Sequence, residues 1–141
     1  SCLMSVTISR EFWFSMGHTL NDYIGKCHNL HGHNYRLLVE VSSPRLNDIG
    51  MVMDFGDLKA LVETVIDNEF DHRFLVHRED TRADDLVIID PNVVLCDYNP
   101  TAEQIASDLR DKIRFVLDRT VDPPQIESIT LWETNNSYAK V

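Results

Sequence analysis

With 141 residues, 43% of them hydrophobic and a formal net charge of −10, the chain has the make-up of a folded domain rather than a disordered segment. Lys and Arg number 13 against 23 Asp and Glu, so the basic face that phosphate neutralisation requires is missing and nucleic acid is excluded as a partner. No apolar run approaches the ~20 residues of a bilayer span, and no secretory signal is read at the start of the chain. The expectation is one domain over residues 1–141, cytoplasmic and without a membrane partner, burying roughly two thirds of its unfolded surface.

Residues 5–14 are rich in β-branched and aromatic types and predict a strand. Residues 33–43 predict a second, with Tyr35, Leu37, Val39 and Val41 on one face and Asn34, Arg36, Leu38 and Glu40 on the other. A polar loop with Asn21, Asp22, Gly25 and Cys27 lies between them, so the simplest pairing is an antiparallel ribbon with histidines at its loop end. Pro44, Asn47, Asp48 and Gly50 mark a turn region. Asp54 then opens a helix through Phe55, Leu58, Leu61, Val62, Val65 and Ile66, ending near Phe70. Residues 71–92 are mostly polar, with a short apolar run at Leu86 to Ile89. Thr101 opens a second helix with Ile105, Leu109, Ile113, Val116 and Leu117 as its stripe and Glu103 in its first turn. Pro123 and Pro124 break the chain, and residues 126–134 alternate as a final strand. A further short strand fits beside the second helix. The economical architecture is α+β: an antiparallel sheet with two helices on one face.

His31 and His33 stand two apart at the start of the second strand, so both side chains reach the same face and can meet one ion. Gly32 leaves the opposite face bare. His18, just after the aromatic first strand, supplies a third imidazole. Three nitrogen ligands with an open fourth position make a catalytic zinc site, and zinc is preferred to iron because no carboxylate lies beside the pair in sequence. Cys27 has two readings. It closes the site as a fourth, structural ligand, or it stays off the metal as a thiolate that moves protons. Cys96, in an apolar run, reads as a core thiol, and with three cysteines and no secretory signal free thiols are expected.

Asp71-His72 reads either as a solvated helix end or as a carboxylate orienting an imidazole for proton transfer. Glu133 reads as an exposed strand residue or as a carboxylate that accepts two parallel hydrogen bonds from an amino-pyrimidinone edge. His28 and His77 have no such company and read as surface residues.

Taken together these residues resemble the 6-pyruvoyltetrahydropterin synthase / 6-carboxytetrahydropterin synthase family of tunnelling-fold enzymes. The likeness runs through Phe14 to His18, Cys27 to Tyr35, Gly50 to Phe55 with Leu58-Lys59, Asp71-His72 with Leu75, Pro100 to Glu103, and Trp132 to Thr134. It implies Zn2+ held by His18, His31 and His33, Cys27 as the catalytic thiol, and Asp71 and His72 as its proton relay. Glu133 would anchor a pterin ring, with Thr101 and Glu103 lining the pocket. The substrate class implied is a pterin triphosphate, 7,8-dihydroneopterin triphosphate. The assembly implied is a homo-oligomeric barrel, commonly a hexamer of two stacked trimers, with sites between subunits. The three-residue spacer from Cys27 to His31 is similar to that of the carboxy-forming enzymes of queuosine biosynthesis, while the pyruvoyl-forming enzymes tend to a longer one. Leu30 stands where a branch acting on unphosphorylated dihydroneopterin carries Glu. The charged segment from Arg78 to Asp85 is expected to reshape the pocket mouth. A pterin enzyme without triphosphate elimination and a non-catalytic protein with a structural zinc site are the rival readings.

Overall fold

The structure, a computed structural model, describes residues 5–141; Cys2 lies outside them. Two long strands form its axis. β1 (Val6–His18) and β2 (His31–Ser43) pair antiparallel along their whole length, from Val6 opposite Ser43 to His18 opposite His31. β1 runs past the predicted end at Phe14 to His18, and β2 begins at His31 rather than His33, so His18 joins His31 and His33 on strand positions. β5 (Gln125–Thr134) joins β2 antiparallel, and β6 (Ser137–Lys140) returns as a hairpin on β5.

On the other side of β1, β3 (Phe74–His77) and β4 (Val93–Cys96) add in parallel, giving the order β4-β3-β1-β2-β5-β6. The sheet is therefore mixed, where the sequence predicts a purely antiparallel one. The α+β class stands. The connecting helices return the chain in the direction of β1, which is what parallel addition requires. Strands of four residues inside a polar stretch carry too few alternations to be seen in sequence.

Three helices are present among the described residues, not two: α1 (Phe55–Glu69), α2 (Ala83–Ile89) and α3 (Ala102–Leu117). The apolar run at Leu86 to Ile89 ends α2, with Ile88 and Ile89 about four-fifths exposed at 81% and 78%. Asp54 caps α1 by accepting from the Asp57 amide at 3.0 Å, and Thr101 caps α3 by accepting from the Gln104 amide at 3.2 Å. None of the helices is long and apolar enough to cross a membrane.

The core lies between the sheet and the stripes of α1 and α3. Leu58, Val62, Val65 and Ile66 of α1 and Ile105, Leu109, Ile113 and Leu117 of α3 meet Phe12, Phe14 and Met16 of β1, Tyr35, Leu37, Val39 and Val41 of β2, and Ile129 and Leu131 of β5. Phe55, expected in the stripe, is half exposed at the first turn of α1. The period of two has a further consequence. The inward face of β1 reads Phe12, Phe14, Met16, His18, and that of β2 reads Val41, Val39, Leu37, Tyr35, His33, His31. The histidines are the last inward positions of both strands, where the apolar core ends.

Candidate metal centre

His18, His31 and His33 each bring a ring nitrogen to within 4.8 Å of the others. Their ring centroids are 4.6, 5.2 and 4.9 Å apart. Two backbone carbonyls decide the chemistry of this group. His18 Nδ1 lies 2.7 Å from the Pro100 carbonyl oxygen, and His31 Nδ1 lies 2.6 Å from that of Asn29. A carbonyl oxygen only accepts, so both Nδ1 atoms carry the proton and donate. The Nε2 atoms of neutral His18 and His31 are then both lone pairs, and they face each other at 3.0 Å. Two lone pairs at that separation are reconciled by a proton on one of them or by a metal ion that both ligate. His33 Nε2 is buried and has no hydrogen-bond partner. The donor set and its carbonyl supports fit a zinc ion.

Electrostatics favour the ligating form. Burial, ahead of all other effects, holds the His18 and His33 imidazoles below the ordinary histidine range, so they are neutral. The fold also brings in a carboxylate that the sequence places far away. Glu133 Oε1 lies 3.3 Å from His33 Nε2, although Glu133 is outside the cluster of mutually close donors. Beneath the group, Tyr35 is fully buried and its hydroxyl is unpartnered. Burial first, and then the neighbouring Glu133 and Cys27, push that phenol far above its usual range.

Cys27 is half-buried in a 3-10 turn, Lys26–His28, and is a free thiol. It does not belong to the metal-ligating cluster. Asp71 and His72 are together: His72 Nδ1 donates to Asp71 Oδ1 at 2.9 Å. Ser15 pins their turn, donating its amide to Asp71 Oδ1 and accepting from the His72 amide at 2.7 Å. His72 borders a depression that it shares with Ser15, Met16, Gly17, Gly32, His33 and Asn34 of β1 and β2. Its side chain is 81% exposed. Among the described residues neither member of the pair hydrogen-bonds Cys27.

Thr101 is the α3 cap and Glu103 is exposed in the first turn of that helix. Their closest tie to the cluster is the Pro100 carbonyl on His18. His28 and His77 spend ring nitrogens on local bonds, to the Leu20 carbonyl and from the Glu79 amide. Cys96 is buried, and burial raises its thiol to about 11, as expected of a core cysteine. Sequence reasoning misses Pro100 and Asn29, which act through backbone atoms and leave no side-chain signal, and it misses Tyr35 as more than core.

Comparison with known proteins follows the same outline. The family model described as 6-pyruvoyl tetrahydropterin synthase matches residues 7–141. The 6-carboxy-5,6,7,8-tetrahydropterin synthase of Haemophilus influenzae is 37% identical over 142 residues, 94% of this chain and 96% of that protein. The enzyme of the same name from Rickettsia conorii is 31% identical over 141 residues, 96% of this chain and 99% of its own. Among solved structures, the 6-pyruvoyl tetrahydropterin synthase of Caenorhabditis elegans superposes with a TM-score of 0.75 at 26% identity, covering 99% of this chain and 96% of that one. An uncharacterized protein from Wolinella succinogenes gives a TM-score of 0.79 at 25% identity, with 98% of each chain covered.

Proposed function

The chain belongs to the 6-pyruvoyl tetrahydropterin synthase family, and we propose that within it the chain is a zinc-dependent lyase converting 7,8-dihydroneopterin triphosphate to 6-carboxytetrahydropterin. The observation that carries the reading is the pair of opposed Nε2 lone pairs on His18 and His31, with His33 beside them. His18, His31 and His33 would hold the ion, which as a Lewis acid acidifies C–H bonds next to hydroxyls bound to it.

The remaining roles fall to the chain's own side chains. Cys27, outside the cluster of mutually close donors, exchanges a proton with the substrate side chain through its thiol. His72 has its Nδ1 proton committed to Asp71, which leaves Nε2 free to take or give another. The His72 side chain is 81% exposed and, among the described residues, neither it nor Asp71 hydrogen-bonds Cys27, which supports a relay between subunits: Asp71 and His72 of one copy serve Cys27 of its neighbour in a homo-oligomer, a hexamer on this reading. Glu133 accepts hydrogen bonds from the amino-pyrimidinone edge of the pterin, and Thr101 and Glu103 border that pocket. The carboxy-forming outcome is supported by the names of the relatives at 31% and 37% identity. The likeness to the C. elegans structure supports the pyruvoyl-forming reaction as the second reading.

Incubation with 7,8-dihydroneopterin triphosphate, followed by product mass, tests the proposal. The expected products are 6-carboxytetrahydropterin, acetaldehyde and triphosphate. A pyruvoyl product selects the second reading, and an unconsumed substrate overturns both. Cys27→Ala separates catalytic from structural zinc. The expected variant keeps its zinc and fold and loses roughly hundredfold or more in turnover, whereas loss of zinc would show that Cys27 closes the site.

A further inference from the structure

The segment between β3 and α2 carries charges that the proposed reaction leaves unused, and they converge on the turn that bears Cys27. Asp80 is buried, with 5% of its surface exposed. Its carboxylate receives Arg82 in a fork, Nε on Oδ1 at 3.0 Å and Nη2 on Oδ2 at 2.8 Å. The backbone aims that carboxylate: the Arg82 amide donates to Oδ1 at 2.9 Å, and the Asp80 amide donates to the His77 carbonyl.

Held in this way, the guanidinium spends its remaining donors on the far side. Nη1 donates to the His28 carbonyl at 2.7 Å, and Nη2 to Thr19 Oγ1 at 2.7 Å. The Thr19 hydroxyl, fully buried, donates to the same His28 carbonyl at 2.6 Å. On the other side of the turn, the Leu20 amide donates to the Cys27 carbonyl at 3.0 Å. The turn Lys26–His28 buries none of its own residues and has no side-chain cap. Packing therefore does little to hold it, and its hydrogen bonds to the rest of the fold must.

We propose that Arg82, oriented by Asp80, is a positioning residue that grips the His28 carbonyl and so sets where the Cys27 thiol stands relative to the histidine cluster. The proposal rests on the reading of Cys27 as the proton-transferring thiol. Only a planar fork can bind a carboxylate in bidentate fashion and still present donors to a carbonyl and a hydroxyl. A lysine satisfies Asp80 or the turn, not both. The charged segment thereby acts on the thiol rather than on the substrate.

The test compares Arg82→Lys and the double variant Asp80→Ala/Arg82→Ala with the unsubstituted protein. The double variant removes the buried carboxylate together with its partner, so no uncompensated charge is left to unfold it. Three quantities are read: zinc content, kcat and KM for the pterin triphosphate, and the pH profile of Cys27 carboxamidomethylation followed on its peptide by mass. The double variant is expected to keep its zinc and to lose roughly tenfold to hundredfold in kcat. Its KM should stay within about twofold, and its Cys27 alkylation profile should be displaced. Arg82→Lys should fall between the two, and it carries the comparison alone should the double variant not fold. Kinetics and an alkylation profile that coincide with those of the unsubstituted protein overturn the proposal, as does a rise in KM at unchanged kcat. A Cys27→Ala protein with normal turnover overturns the functional reading instead, and the alkylation profile still reports on the grip of Arg82.

Discussion

Among the described residues the histidines 18, 28, 31, 33 and 77 show how little the residue type decides by itself. His18 and His31 give their Nδ1 protons to the Pro100 and Asn29 carbonyls, which leaves both Nε2 atoms as lone pairs toward one point. His28 Nδ1 also donates, to the Leu20 carbonyl, whereas His77 Nδ1 accepts from the Glu79 amide. What sets His18 and His31 apart is that their Nε2 atoms meet at 3.0 Å, and the carbonyl that orients His18 lies 82 positions away in the chain. Asp80 makes the same point for charge. The Arg82 fork, more than anything else around it, holds its carboxyl below the usual carboxylate range. A lowered carboxyl pKa contributes stability that is present above the unfolded value and is lost as pH falls through the folded one. The Tm gap between the unsubstituted protein and Asp80→Asn should therefore be constant from neutrality to about pH 5 and close below about pH 4. Thermal melts across that range check it, and a gap that widens on acidification would contradict the assignment.

At the level of elements, helices and long strands follow from local chemistry. Asp54 and Thr101 cap α1 and α3 where their sequences place them, and the alternation of β1 and β2 yields the core face directly. β3, β4, β6 and α2 are four to seven residues each, too short for a period to stand out, and they exist because a neighbouring strand or the sheet edge offers partners. One close approach couples these classes. A Cβ on Gly17 would lie 2.5 Å from Phe74 Cδ2 and 3.2 Å from the His31 carbonyl oxygen. Gly17→Ala must therefore displace the Phe74 ring beside His18, at a cost of about 1–3 kcal/mol. Denaturant melts of the metal-free protein should show that loss, and adding Phe74→Leu should return much of it.

At the scale of the whole molecule, the sheet is unfinished on one side. Among the described residues β1 meets β3 only at Gly17 and His18, so its earlier residues have a strand partner on the β2 side alone. Such an edge is a template for a further strand. Exposed aromatic rings lie elsewhere on the sheet too, Trp13 on β1 at 62% and Tyr138 on β6 at 60%, with the Arg36 guanidinium over Trp132 of β5 at 4.1 Å. These features support the inter-subunit reading of the site, and that reading has its own test. Cys27→Ala and His72→Ala subunits, each inactive alone, should regain about a quarter of normal activity after mixing and subunit exchange, because a quarter of the sites then pair an intact Cys27 with an intact His72. No recovery would place the relay within one chain.

The grouping of His18, His31 and His33, the capped helices and the inward face of the long strands are readable in the sequence, because each rests on spacing within one element or on a short distinctive run. The parallel strands, the carboxylate of Glu133 beside His33 and the hydrogen bonds of Arg82 to the Cys27 turn are not. Each depends on atoms brought together from distant parts of the chain. Such contacts, several of them made through backbone oxygens that every residue carries, are chosen by how the sheet packs and leave no mark in the order of the side chains.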